Sequence, residues 1–331
     1  MTLTRDEQRV PHYGVFEFSI EAKTVNQHPI FETDFTVIFT RPGGTAVTAE
    51  GFYDGGRTYK ARAYANALGE WHWRTQSNVP ELSDRSGSFT VVSSDLKGQL
   101  KHHPDDSYQF AYDNGDWFLH IGDTGYRYVT DTEPEWRAYI DQAEAAGFTK
   151  IRTWFNRGRR DVQALFNLER TSLNLPYWQE MDRRLTYALN AHPHVIFKLI
   201  PYGEDTDELR RYGTDELSPW AARYAQARFS AFPNVHWCVS NDHRIVPDDE
   251  ELTGRKLHES TIDQIARDMA AREPWDTLLT NHQCRWSGYS FCDAEWSDIV
   301  TLEDLDEVDG QLILEYREKV NMPVINDEDR Y

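Results

Sequence analysis

The feature of this 331-residue chain that most constrains its fold is a change in hydrophobic periodicity near residue 100. Between residue 10 and about residue 93, apolar and polar residues alternate in short segments separated by glycine-containing turns. The clearest of these segments are residues 15–21, 35–39, 58–64, 71–74 and 88–92. A period of two is that of a strand with one buried face, and no helical stretch interrupts the series. The pattern predicts an N-terminal Ig-like β-sandwich over residues 1–93 and a polar linker over residues 94–115.

Beyond residue 116, continuous apolar runs alternate with amphipathic helical segments. The seven runs are residues 117–121, 151–155, 195–200, 235–239, 277–280, 298–301 and 323–325. The segment from Thr132 to Glu135 has the form of a capping box with an early proline, which predicts the start of a helix. Buried strands that alternate with helices indicate a parallel sheet covered by helices. Residues 116–331 are therefore expected to form a (β/α)8-type barrel.

The number of runs is one short of a closed barrel, which needs eight strands. Either one strand has escaped this count or the native chain continues beyond Tyr331, and we favour the second explanation. The barrel of this chain is then expected to lack its last strand and to be open between its first and seventh strands.

The formal net charge of −20 excludes several classes of partner. Such a field repels phosphate groups, so neither nucleic acid nor an anionic membrane is an expected partner, and a neutral saccharide fits better. The three cysteines lack metal-ligand spacing, and the N-terminus is polar without an apolar leader segment. These features predict a cytoplasmic protein and leave its oligomeric state open.

The polar residues that close each apolar run are candidate site residues, because barrel active sites lie at the C-terminal ends of the strands. They are Asp123, Trp154, Asn156, Tyr202, Glu204, Asn241, Asp242, Asn281, His282, Asp327, Glu328 and Asp329. Asp242 follows the fourth run and Glu328 the seventh, and these strand ends are expected to face each other. Two such carboxyls suit glycosidic cleavage, in which one protonates the leaving oxygen and the other attacks or activates water. Carboxylates at strand ends also serve as metal ligands or helix caps, and spacing alone leaves this open.

Several segments resemble a known family. Residues 10–19 read VPHYGVFEFS, residues 51–60 read GFYDGGRTYK and residues 69–73 read GEWHW. All three resemble the N-terminal sandwich module that is fused to apiosidase-like barrel hydrolases. In the barrel half, residues 117–126 resemble the first strand of those enzymes, residues 235–242 their acid/base strand and residues 323–331 their nucleophile strand.

The resemblance implies a glycoside hydrolase that needs neither a metal nor an organic cofactor. Carried over residue by residue, it makes Asp242 the general acid/base and Glu328 the nucleophile of a retaining reaction. Related barrel glycosidases usually have Asn-Glu where this chain has Asn241-Asp242. Glu204 is the alternative acid if the shorter Asp242 does not reach the glycosidic oxygen.

Other residues near the strand ends are expected to bind the substrate. Trp154, Tyr202 and Trp286 could stack on a sugar face, although any one of them could instead belong to the core. Asp123 and His282 could bond the sugar or serve only the structure. The full predicted substrate-binding set is Asp123, Tyr126, Trp154, Asn156, Tyr202, Glu204, Asn241, His282 and Trp286. Two other functions stay open: a catalytically inactive carbohydrate-binding barrel, and a transglycosylase that uses the same carboxylates.

Overall fold

The computed structural model describes residues 8–155, 165–167, 169–285, 287–303 and 310–328. Its N-terminal β-rich region contains β1 (Arg9–Pro11), β2 (Val15–Glu21), β3 (Phe35–Thr40), β4 (Ala46–Glu50), β5 (Phe52–Gly55), β6 (Thr58–Tyr64), β7 (Gly69–Ser77) and β8 (Ser86–Val92). These strands form a five-stranded sheet of order β1-β8-β7-β3-β4 and a three-stranded sheet of order β2-β6-β5. The helix of residues 8–93 is the four-residue α1 (Pro29–Glu32). The five predicted strands are thus confirmed, and no long helix lies in this described range.

The two N-terminal sheets share one apolar core. In β3 every second side chain is buried, as the period of two predicts. Phe16 of β2 stacks on Phe89 of β8, with ring centroids 3.9 Å apart, and so joins the two sheets. Trp71 of β7 lies fully buried beside them. Full burial of one such side chain contributes about 2–3 kcal/mol.

The prediction of a linker over residues 94–115 is wrong. These residues contain β9 (Leu100–His103) and β10 (Asp106–Tyr112), which form an antiparallel sheet with β11 (Trp117–Phe118). One side of this sheet packs under the C-terminal region in a separate apolar cluster. The members of that cluster are Leu100, Phe110, Tyr112, Phe118, Ile196, Leu278, Ile299 and Ile325. The segment looks polar in sequence because much of it is only partly buried, and not because it lacks structure.

Within the described residues, the C-terminal region contains nine strands with parallel partners, of which seven form the main array and follow the chain order that the sequence predicts. The strands of this region are β12 (Gly122–Thr124), β13 (Lys150–Trp154), β14 (Ile196–Ile200), β15 (Val235–Cys238), β16 (Arg244–Val246), β17 (Lys256–His258), β18 (Leu279–Thr280), β19 (Val300–Glu303) and β20 (Val324–Glu328). One sheet has the order β12-β13-β14-β15-β18, and β19-β20 and β16-β17 form separate parallel pairs. The backbone N–H of Asp298 donates to the carbonyl of Leu279 at 2.9 Å, which places β19 next to β18. The pair β16-β17 forms a separate two-stranded sheet between β15 and β18 in the chain and does not belong to the main array.

The predicted position of the first parallel strand is wrong. Trp117 and Phe118 pair antiparallel with β10, and the parallel strand begins only at Gly122. Within the described residues, β12 pairs with β13 alone and β20 pairs with β19 alone. The outer edges of these two strands therefore have no partner strand in the described part of the chain.

Helices separate most of the parallel strands. They are α2 (Glu133–Ala145), α3 (Leu175–Ala191), α4 (Thr206–Arg211), α5 (Pro219–Phe229), α6 (Glu259–Arg272) and α7 (Gln311–Arg317). The capping box predicted between Thr132 and Glu135 is present at the start of α2. That helix buries Trp136, Ile140 and Ala143, which lie on one face at helical spacing. Among the described helices, none is both long and apolar enough to cross a membrane.

A buried charge network joins the two regions. The Arg62 guanidinium of β6 donates two hydrogen bonds to the Asp182 carboxylate of α3, at 2.9 and 2.8 Å. Arg228 of α5 also donates to Asp182, at 2.6 Å, and to Asp54 of β5, at 2.8 Å. Both arginine side chains are at least 95% buried. The N-terminal sheets are thus held against α3 and α5 by paired buried charges.

Candidate active site

Charged side chains of β13 and β14 face the end of β20. Arg152 of β13 forms an ion pair with the Glu328 carboxylate, and both groups are almost fully buried. The same guanidinium donates to the Thr124 hydroxyl and to His282 Nε2, each at 3.0 Å. Arg152 therefore fixes Glu328, His282 and the end of β12 relative to one another.

Asp327 lies beneath Glu328 and meets three cations. Lys150 forms an ion pair with it, Lys198 Nζ donates to Oδ2 at 2.8 Å, and Arg152 lies 3.5 Å away. Burial alone would raise the pKa of Asp327, but these cations hold it well below its usual range. Burial also lowers the pKa of Lys150 to about 8, despite the neighbouring carboxylate. The interior of the parallel array is thus polar and cationic.

Asp242 and Glu204 share one guanidinium. Arg255, which lies just before β17, forms an ion pair with Asp242 and donates to Glu204 Oε2 at 2.7 Å. Asp242 has φ of 56°, a left-handed conformation that is uncommon for a residue with a side chain. Such conformations are often kept at functional sites because they aim a side chain. The ends of β14 and β15 are therefore joined through their carboxyl groups.

Glu303, at the end of β19, is a further carboxyl of the same region. Arg285 Nε donates to its Oε1 at 2.6 Å, and the Arg285 backbone N–H donates to its Oε2 at 3.0 Å. Its side chain is 95% buried. Burial raises the pKa of Glu303, and the negative charges of Glu328 and Asp242 add to that rise against the opposing hydrogen bond from Arg285.

A pair of stacked aromatic rings lies beside these charged residues. The rings of Tyr126 and Trp154 stack with centroids 3.7 Å apart and planes 5° from parallel. Gly203, at φ of +56°, packs against the Trp154 ring, where a Cβ would lie 3.2 Å from it. The Asn241 side chain lies beside the Tyr126 hydroxyl, but Tyr126 Oη and Asn241 Oδ1 are buried and make no well-formed hydrogen bond in the described part of the chain. Buried polar atoms of this kind are usually satisfied by water or ligand, so they mark a place for a polar molecule.

Two of the predicted substrate-binding residues do not join this group. Tyr202 is fully buried, and its hydroxyl donates to the carbonyl of Ser218 at 2.9 Å, so it belongs to the core beneath the helices. Asp123 is the middle residue of β12 and faces α2, where the Tyr139 hydroxyl donates to it at 2.8 Å. Successive residues of a strand point to opposite faces, and the inward position is taken by Thr124. Asn156 and Trp286 lie outside the described residues.

The remaining predicted residues are brought together at the strand ends: Tyr126, Trp154, Glu204, Asn241, Asp242, His282 and Glu328. Sequence reasoning missed Arg255, Arg285, Glu303 and the cations of β13 and β14. The sequence does contain a signal for the cations of β13 and β14, because Lys150, Arg152 and Lys198 interrupt apolar strands at alternate positions. The sixth predicted apolar run ends at residue 301, two residues before Glu303, so the sequence does not indicate that carboxyl.

His282, Glu303 and Glu328 are the described residues that could hold a metal ion, since their candidate ligand atoms lie within 4.8 Å of one another. Both carboxyls, however, already accept bonds from guanidinium groups of Arg152 and Arg285. Burial, followed by the charge of Arg152, lowers the pKa of His282 well below its usual value, so the imidazole is neutral. Carboxyls that are each paired with an arginine fit a charge network better than a cation site.

Known structures share this architecture. An inferred glycoside hydrolase from Bacteroides vulgatus is 22% identical, with a TM-score of 0.79 over 98% of this chain and 66% of its own. A glycoside hydrolase family 5 protein from the same organism is 18% identical, with a TM-score of 0.52 over 71% of this chain and 54% of its own. An endo-1,4-beta-mannanase from Rhizomucor miehei is 11% identical, with a TM-score of 0.50 over 70% of this chain and 82% of its own. The chain thus spans about two-thirds or less of the first two structures, and at these identities the likeness concerns the fold alone.

The parallel strands and these likenesses show that the C-terminal region has a glycoside hydrolase-like fold, which follows a β-rich N-terminal region. The chain belongs to the apiosidase-like family, because the model of that family's catalytic domain matches residues 104–331, more than half of its length. The resemblance seen in the sequence is thereby confirmed. Residues 9–78 match a second model, a domain of unknown function named DUF5060. A comparison with curated proteins finds no match.

Proposed function

We propose that the protein is a retaining glycosidase that cleaves a neutral saccharide, with Glu328 as nucleophile and Asp242 as general acid/base. The observation that supports this best is the position of Glu328. It ends the seventh parallel strand, is paired with buried Arg152 and lies beside His282. An anionic carboxylate fixed by an arginine at a strand end is what attack on an anomeric carbon requires.

The proposal includes a complete architecture. The N-terminal sheets are interpreted as an Ig-like sandwich, and the seven parallel strands as seven of the eight strands of a (β/α)8 barrel. In such a barrel the ends of the fourth and seventh strands open into one mouth. Asp242 and Glu328 are placed at these two ends. Their carboxyl groups are expected about 5–5.5 Å apart in the substrate complex, the spacing of retaining enzymes.

The chemistry has two steps. Glu328 attacks the anomeric carbon while the bond to the leaving oxygen breaks, and Asp242 gives its proton to that oxygen. Asp242 then takes a proton from water, which hydrolyses the glycosyl-enzyme. Because Asp242 must carry a proton in the first step, its ion pair with Arg255 has to open when substrate binds. Tyr126 Oη and Asn241 Oδ1, which are buried without a well-formed hydrogen bond in the described residues, are proposed to bond sugar hydroxyls.

The test is a comparison of three carboxyl variants on aryl glycosides and on plant-wall oligosaccharides. Glu328→Gln should reduce turnover on every substrate by roughly three orders of magnitude or more. Asp242→Asn should reduce kcat by roughly 10²–10⁴-fold on substrates with poor leaving groups, and far less on activated aryl glycosides, which need little protonation. Glu204→Gln is the matched control, since it shares Arg255 with Asp242.

The possible outcomes separate the candidate roles. If Glu204→Gln shows the leaving-group dependence and Asp242→Asn does not, Glu204 is the acid. Near-normal activity of Glu328→Gln would exclude the proposed mechanism. Binding of oligosaccharide by calorimetry with no turnover by the wild-type protein would identify an inactive carbohydrate-binding barrel. NMR detection of the first anomer formed distinguishes retention from inversion, and analysis of the products shows any transglycosylation.

A further inference from the structure

Glu303 lies directly beside Glu328 because of a β-bulge. β19 and β20 are in register up to Leu302 and Asn326, and the next register partner of Glu303 is Glu328. Asp327 is thus the extra residue of β20, which turns inward to the cations of β13 and β14. Bulges next to active sites commonly re-aim a side chain, and this one sets two carboxyls side by side. Ligand atoms of Glu303, Glu328 and His282 lie within 4.8 Å of one another.

Glu303 is anchored on its other side by one loop residue. Both of its carboxyl oxygens accept hydrogen bonds from Arg285, one from the guanidinium and one from the backbone N–H. The loop after β18 is therefore attached to β19 through this carboxylate. Because both oxygens are engaged and the side chain is 95% buried, Glu303 is poorly placed to give a proton to a leaving group.

The two neighbouring carboxyls have separate cationic partners. Arg152 bonds Glu328 from β13, and Arg285 bonds Glu303 from the loop after β18. Among the described residues, Asp242 and Glu328 disfavour the ionised form of Glu303. The Cys284 thiol and the neutral His282 imidazole also lie near it. A change in either member of the Glu303–Arg285 pair must therefore alter the charge that Glu328 meets.

We propose that Glu303 is a positioning residue for the nucleophile: paired with Arg285, it fixes the loop after β18 and sets the electrostatic environment of Glu328. This inference rests on the proposed function, in which Glu328 must be ionised to attack. The pair places a carboxyl group beside Glu328 and anchors it to the guanidinium and backbone N–H of Arg285. Removal of either member should lower kcat far more than it changes KM.

The experiment measures kcat and KM separately on an activated aryl glycoside for wild type, Glu303→Gln, Arg285→Gln and the double variant. Glu303→Gln should lower kcat by roughly tenfold or more with little change in KM, because Glu328 acts in the chemical step and loses its positioning there. Arg285→Gln should show the same split between kcat and KM, because it removes the other member of the pair. The double variant should lose little more than the worse single variant, because two residues that act as a unit are not additive.

A fall in kcat at nearly constant KM, not additive in the double variant, would support the inference, since a merely structural role lowers the amount of folded protein and leaves the kcat of that fraction unchanged. Unchanged kcat in both single variants, or additive losses in the double variant, would overturn it. Glu328→Gln, measured in parallel, separates this failure from failure of the proposed function, because retained activity there removes the nucleophile itself. Hydrogen exchange gives a readout independent of activity: in Glu303→Leu the Arg285 amide should exchange about tenfold faster or more. Unchanged exchange would also contradict the anchoring role.

Discussion

The interior of the parallel array differs from an ordinary apolar core because it contains buried charged side chains. Lys150, Lys198 and Arg152 surround the Asp327 carboxylate, and all four side chains are at most 3% exposed. Ions taken out of water cost several kcal/mol each and are tolerated only when paired. Glu328 is the next residue along β20, so the same cations that neutralise Asp327 also hold the backbone of the proposed nucleophile.

Asp327→Asn should destabilise the protein by about 3–5 kcal/mol, because it leaves buried cations without their counter-charge. Urea unfolding at neutral pH measures this. Asp123→Asn is the control, since that exposed carboxylate accepts one hydrogen bond among the described residues, from Tyr139, and its loss should cost less than about 1 kcal/mol. A loss below 1 kcal/mol in Asp327→Asn would show that the cations do not depend on this carboxylate.

The ion pairs of Asp327 also determine how the stability of the protein changes with pH. The pKa of Asp327 is well below its usual range in the folded state. Its contribution is therefore complete above the unfolded pKa of about 3.9 and is lost as the pH falls below that value. Wild-type stability should fall between about pH 4 and pH 2 more steeply than that of Asp327→Asn. Parallel curves for the two proteins would contradict this assignment.

The residues that could be predicted from sequence are those at strand ends. Asp242 and Glu328 are predicted from sequence because each lies three residues after an apolar run, and their catalytic roles stay a prediction. Arg255 and Arg285 could not be found this way, because they lie in loops whose paths depend on tertiary contacts. Tyr202 was misplaced because a residue after a strand can turn back into the helical layer, and only packing decides which way it turns.

At the scale of elements, periodicity predicted the strands well and their boundaries poorly. In the N-terminal region, β3 and β8 bury alternate side chains, and the period of two in their sequences shows this directly. The hairpin of β9 and β10 was missed because its exposed side is polar and its apolar side chains are few. The predicted boundary of β19 is too early, because the end of a strand at a charged site carries polar residues in place of apolar ones. For the same reason the sequence does not indicate Glu303.

Helix α3 connects the two regions through Asp182, and this contact is testable. Asp182→Ala should cost about 3–5 kcal/mol, because it leaves Arg62 and Arg228 buried without their shared carboxylate. Glu180→Ala, on the same helix, removes a carboxylate that pairs with Arg183 and Arg184 nearer the surface, and it should cost about 1 kcal/mol or less. Both are measured by thermal and urea unfolding. Equal losses in the two variants would show that the network does not hold the regions together.

At the scale of the whole molecule, the unpartnered strand edges coincide with exposed apolar side chains. Trp117, Leu119 and Ile121, on the chain that leads into β12, are 59%, 69% and 44% exposed. They alternate along the chain and so present one apolar row. β12 and β20 each lack a partner on one edge within the described residues. Unpaired edges and contiguous apolar rows both favour association between molecules.

The protein with this sequence should therefore self-associate as its concentration rises, and Leu119→Lys should weaken that association. The substitution puts a charge in the centre of the apolar row, and lysine on an exposed edge is a common natural means of preventing strand-to-strand contact. Sedimentation velocity over a hundredfold range of concentration measures the effect. Leu68→Lys is the matched control, because Leu68 is 53% exposed but lies in the N-terminal region, at a turn before β7. Association that is equally strong in wild type and Leu119→Lys, or equally weakened by both substitutions, would exclude the row before β12 as the contact surface.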